Sequence, residues 1–158
     1  MKRITIFIGI AAVLLLVAVA VGVSGLWRPS HEGTANPEDA PQQVALGEQV
    51  YREHCASCHG ANLQGQTDWR RRGPDCRLPA PPHDETGHTW HHPDDVLFRI
   101  TKQGVSAIVP DYESDMPAYA DVLTDAGIWA VLAFIKSQWP QPIQDRQAEI
   151  NRRSEQAR

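Results

Sequence analysis

Cys55-Ala56-Ser57-Cys58-His59 is the stretch on which the reading of this chain turns. Two thiols separated by two residues lie on one turn of helix, and a histidine follows directly. That spacing is the C-x-x-C-H pattern of covalent c-type haem attachment. Each thiol can add to one haem vinyl group, and His59 then presents its imidazole to the iron as the proximal ligand. Two rival readings use the same residues. A zinc site would take Cys55 and Cys58 and complete itself with Cys76 and His83, but zinc sites usually close with a second tight pair, and six residues separate these two. A redox-active dithiol would call for an alternating βαβ pattern around the motif, which the sequence lacks.

Working outward, residues 44–58 carry Leu46, Val50, Tyr51 and Cys55 near helical spacing, which predicts a first helix leading into the motif. Gly47 weakens that helix and so asks for a compensating close approach. Downstream, some thirty residues from Gly60 to His92 are dense in Gly, Pro, Arg and His without periodicity, which is long for a structureless loop in a compact domain. Pro93 with Asp94 and Asp95 marks a helix start, Val96, Leu97 and Ile100 its buried face, and Gly104 its stop. A last helix opens at Thr124 with Asp125 in its first turn. Ile128, Trp129, Leu132, Ala133 and Ile135 are its expected buried face, and Pro140 follows its end.

Gly47 and Tyr51, the motif itself, the later Asp115-Met116-Pro117 and the Trp-containing last helix together resemble the class I mono-haem c-type cytochromes over residues 43–140. The resemblance implies an all-α cytochrome c fold, three to four short helices wrapped around one covalent haem c. It implies that Gly47 lets the first helix cross the last one closely. It also implies that His59 and Met116 are the two axial ligands and that a proline carbonyl in the long loop accepts the Nδ1 proton of His59. Pro74 and Pro79 are both candidates for that carbonyl. Met116, taken by itself, could equally be a gap-filling core methionine. Closed His/Met coordination argues for single-electron transfer and against enzyme chemistry, and it raises the reduction potential. Were Met116 not to ligate, a haem enzyme such as a peroxidase would come back into view.

His83, His88, His91 and His92 form a second feature, with four imidazoles in ten residues. Such density suits copper, zinc or nickel and supports an alternative reading, a haem-containing copper-handling or redox-sensing module. The plainer reading is that these rings cover a haem edge, bond a propionate or face water. Cys76 is the one thiol the motif does not consume; it is expected to be a small buried residue, with an exposed free thiol as the alternative.

The N-terminus reads as an address. From Ile4 to Val23 the only polar side chain is Thr5, and twenty such residues make about 30 Å of helix, the thickness of a bilayer's hydrocarbon core. Residues 1–26 are therefore expected to be a transmembrane anchor, with a cleaved signal ending near Ala18-Val19-Ala20 as the rival. Lys2 and Arg3 should stay cytoplasmic, so both readings export the rest. The expected location is the bacterial inner membrane, single-pass, with the haem domain on the periplasmic side. Residues 27–42, rich in Pro and polar residues, read as a flexible linker, residues 43–140 as the haem domain, and residues 141–158 as a polar, frayed tail. Expected partners are redox proteins: a membrane respiratory complex, a terminal oxidase or a copper protein. A net charge of −4 over 158 residues gives nucleic-acid binding no support.

Overall fold

The computed structural model describes residues 40–158, and the anchor and most of the linker expected from the sequence lie outside them. Among the described residues the fold is all-helical, with no strand. Five α-helices follow in order: α1 (Ala40–His54), α2 (Ala56–His59), α3 (Asp94–Gln103), α4 (Asp125–Ser137) and α5 (Gln141–Gln156). Two 3-10 turns, Thr89–His91 and Val105–Ala107, sit in the connections. Ala40, Pro41 and Gln42, placed in the linker by composition, already belong to α1. Among the described residues no helix is long and apolar enough to cross a membrane.

α1 and α4 cross closely, and Gly47 is the reason. A Cβ at Gly47 would overlap the carbonyl of Ala130 and press on Cβ of Phe134. The helix thus accepts glycine's conformational cost to bring two backbones together. Around this crossing Val50 and Tyr51 of α1 pack with Val131, Phe134 and Ile135 of α4, joined by Leu63, Trp90 and Trp139. A smaller cluster of Leu97, Ile128 and Leu132, with Phe98 and Leu123 against it, seats α3 on another side of α4.

Helix ends follow their local chemistry. The Thr124 hydroxyl accepts from the Gly127 amide at 3.1 Å, capping α4, and Asp94 and Asp95 occupy the first turn of α3. Gly104, at φ 85°, ends α3 in a conformation that costs other residues strain.

Two expectations fail here. Trp129 is not in the buried face of α4: it is 39% exposed and stacks on Phe98 with centroids 4.6 Å apart. The buried stripe is already filled by Ile128, Val131, Leu132 and Ile135, so position 129 faces outward, and Trp139 just past the helix enters the core instead. Nor is the C-terminal segment frayed. Gln147 of α5 is 1% exposed, and its amide donates to Asp94 Oδ1 at 2.6 Å. Asn151 donates to Asp94 Oδ2 at 2.9 Å and accepts from the Asp94 amide at 2.8 Å. Lys136 closes the group with a 2.6 Å ion pair to the same carboxylate. The polar residues that make the segment look like a solvated tail are the ones that dock it.

Candidate haem-attachment site

α1 delivers the chain to the motif, and the amide of Cys55 still donates to the Tyr51 carbonyl at 2.9 Å. α2 is a single turn that carries Ala56 to His59. The turn is held from two sides. The buried Tyr51 hydroxyl donates to the Gly60 carbonyl at 2.9 Å, and the Tyr119 hydroxyl donates to the His54 carbonyl at 2.8 Å. Burial raises the pKa of both phenols, which keeps them as donors.

All three cysteines are free thiols. Cys55 is partly covered, and burial together with the neighbouring Cys58 pushes its thiol up to about 11, while Cys58 is exposed. His59 is 7% exposed. Its Nδ1 lies 2.8 Å from the carbonyl of Pro81. A carbonyl can only accept, so Nδ1 carries the proton and the neutral ring keeps its lone pair on Nε2. Burial lowers the pKa of His59, against the opposing effect of the Pro81 bond, which favours that neutral ring. Two free thiols on one turn, followed by an imidazole with its metal-binding nitrogen free, form a donor set that fits a covalently attached haem.

The carbonyl that faces His59 is neither that of Pro74 nor that of Pro79. Pro81 performs this task, and the signal for it is the Pro81-Pro82 dipeptide. The Pro81 ring sets its own φ and the following proline restricts its ψ, so the direction of the carbonyl is largely preset.

The long loop is not structureless. The Gly65 amide donates to the His59 carbonyl at 2.7 Å, the Gln66 amide to the Ala80 carbonyl at 2.9 Å and the His83 amide to the Leu63 carbonyl at 2.7 Å. The two ends of the loop are thereby tied beside α2. Cys76 lies at its tip, exposed and at φ 64°, so the expected buried cysteine is an accessible one. Arg77 next to it pairs with Asp115, joining this loop to the segment that contains Met116. Met116 is half-buried in irregular chain, with its amide donating to the Ser114 hydroxyl at 3.1 Å.

The histidine cluster separates into three environments. His83 stacks on His59 with centroids 4.0 Å apart and bonds Thr89 through Nδ1. His91 stacks on Trp90 at 3.7 Å, and His88 stacks on Trp69 and meets His92 edge-on at 5.6 Å. Burial, then the neighbouring His92, His91 and Arg70, lower the pKa of His88. Among the described residues no three His, Cys, Asp or Glu side chains converge in a group that could hold a metal ion. That holds both for the imidazole cluster and for the zinc alternative at Cys55, Cys58, Cys76 and His83.

Comparison with known proteins agrees with the donor set. The family described as cytochrome c oxidase, cbb3-type, subunit III matches residues 42–135, more than half of the chain. A cytochrome bc1 complex cytochrome c subunit of Mycobacterium leprae is 40% identical over 57 residues, 35% of this chain and 20% of that protein. The subunits of the same description from Mycobacterium bovis and Mycobacterium tuberculosis are 36% identical over 58 residues, 35% of this chain and 21% of theirs. The chain thus spans about a fifth of the length of these relatives. No solved structure matches it.

Proposed function

The chain belongs to the cytochrome c oxidase, cbb3-type, subunit III family of c-type cytochromes, and on that premise we propose that it is a membrane-tethered carrier of single electrons in a bacterial respiratory chain. The observation that carries this reading is the hydrogen bond from His59 Nδ1 to Pro81, which leaves Nε2 free beside two unpaired thiols. Haem c bound there supplies reversible one-electron chemistry at iron.

The roles of the residues follow. Cys55 and Cys58 would hold the haem through two thioether links. His59 would offer the iron its Nε2 lone pair, while Pro81 holds the ring by the opposite nitrogen. Met116 would offer the iron a thioether sulfur. Tyr51 and Tyr119 hold the carbonyls on either side of the motif and so keep the attachment turn in place.

Residues 1–26 would tether the domain to the inner membrane on its periplasmic side. The relatives are subunits of the cytochrome bc1 complex, which supports a membrane respiratory complex as the partner. Expression of the chain with a c-haem maturation system tests the reading. The expected result is haem retained through denaturing electrophoresis, a sharp reduced α-band, and a weak thioether-to-iron(III) charge-transfer band lost in Met116→Ala. Covalent haem with no such band would remove Met116 as ligand, and no covalent haem would remove the carrier.

A further inference from the structure

Two neighbours constrain the ring of His59 in different ways. The bond to Pro81 fixes the direction of Nδ1, but carbonyl acceptors tolerate a broad range of approach, so this bond alone leaves the ring plane loosely set. The plane is set by a second ring. His83 lies against the face of His59, with centroids 4.0 Å apart and planes only 22° from parallel. Turning His59 about its Cβ–Cγ bond would drive a ring edge into the face of His83.

His83 cannot give way easily. Its Nδ1 is paired with Thr89 Oγ1 at 2.8 Å, its amide donates to the Leu63 carbonyl at 2.7 Å, and its carbonyl accepts from Trp139 Nε1 at 2.7 Å. Thr89, Leu63 and Trp139 are themselves buried, and Tyr51 meets the His83 ring edge-on at 6.3 Å. The short run Pro81-Pro82-His83 therefore grips one imidazole by its edge and by its face.

We propose that His83 is a positioning residue that sets the plane of the His59 imidazole, and through it the orientation of the ligand's π orbitals toward an iron held at Nε2. This rests on the haem reading above. The alternative role for His83, ligation of a second metal, has no partner side chains: among the described residues no three His, Cys, Asp or Glu groups converge there.

The test uses the full chain loaded with haem, with His83→Ala and His83→Phe beside the wild type. The readouts are the g-values of the oxidised protein by electron paramagnetic resonance and the midpoint potential, neither of which is an activity. His83→Ala is expected to shift and broaden the g-values and move the potential. His83→Phe, which restores a flat ring without the bond to Thr89, is expected to return both toward wild type. Unchanged g-values in His83→Ala overturn the proposal, and so do equal shifts in both variants. Should His83→Ala fail to take up haem, His83→Phe alone decides: wild-type spectra support the positioning role and shifted spectra overturn it. Failure of the wild type to bind haem covalently overturns the underlying reading, a result distinct from all of these.

Discussion

The backbone of Gly47 meets the carbonyl of Ala130 so closely that no side chain fits between α1 and α4. The obstacle is backbone on both helices, so neither can yield by rotating a side chain. Gly47→Ala should therefore destabilise the domain by about 1–3 kcal/mol, the range for overpacked cores, even though alanine is the better helix former. Chemical denaturation monitored by helical circular dichroism checks this, and an unchanged midpoint would mean that the helices cross farther apart.

Trp129 within α4 and Trp139 just past its end should behave oppositely. Trp139 is 3% exposed and donates to the His83 carbonyl, so Trp139→Ala should cost about 3–5 kcal/mol. Trp129 is exposed and loses mainly its stack on Phe98, worth about 0.5–1.5 kcal/mol. Comparable losses in the two variants, measured by thermal or urea unfolding, would place Trp129 in the core.

Asp94 receives the amide of Gln147, the amide of Asn151 and the ammonium of Lys136. Asp94→Ala leaves the buried Gln147 without its shortest partner, at a cost of about 1–3 kcal/mol. Loosening of α5 should appear first, as faster hydrogen exchange along Gln141–Gln156 than along α1. Uniform protection of α5 in the variant would show that the network does not anchor it.

Cys76 should react with a thiol reagent in the folded, haem-loaded protein without denaturant, giving one labelled cysteine. Cys76→Ser should leave covalent haem unchanged, whereas Cys55→Ala with Cys58→Ala should abolish it on a denaturing gel. Protection of Cys76 from the reagent would show that another surface covers it.

Much of this molecule could be read directly from residue order. The proposed haem attachment at Cys55, Cys58 and His59 rests on spacing within one helical turn, which residue order alone supplies. The close crossing at Gly47 was legible through the family resemblance, with the cost of a glycine inside a helix asking for such a contact. The capping of α4 by Thr124 and the stop of α3 at Gly104 are likewise local chemistry.

What stayed hidden depends on contacts between segments far apart in the chain. Pro74, Pro79 and Pro81 all offer a carbonyl in a proline-rich loop, and although the Pro81-Pro82 pair presets one of them, it is the pairing of Gly65 and Gln66 with His59 and Ala80 that brings the Pro81 carbonyl to His59. The stack of His83 on His59 joins residues twenty-four positions apart, and no periodicity announces it. Composition labels residues 141–158 as solvated because it registers polarity without partners, while Asp94 satisfies Gln147 and Asn151 across more than fifty residues. Local spacing determines which atoms can hold a haem; long-range packing decides which neighbours aim them, because hydrogen-bond partners and ring faces are assigned only when the chain closes on itself.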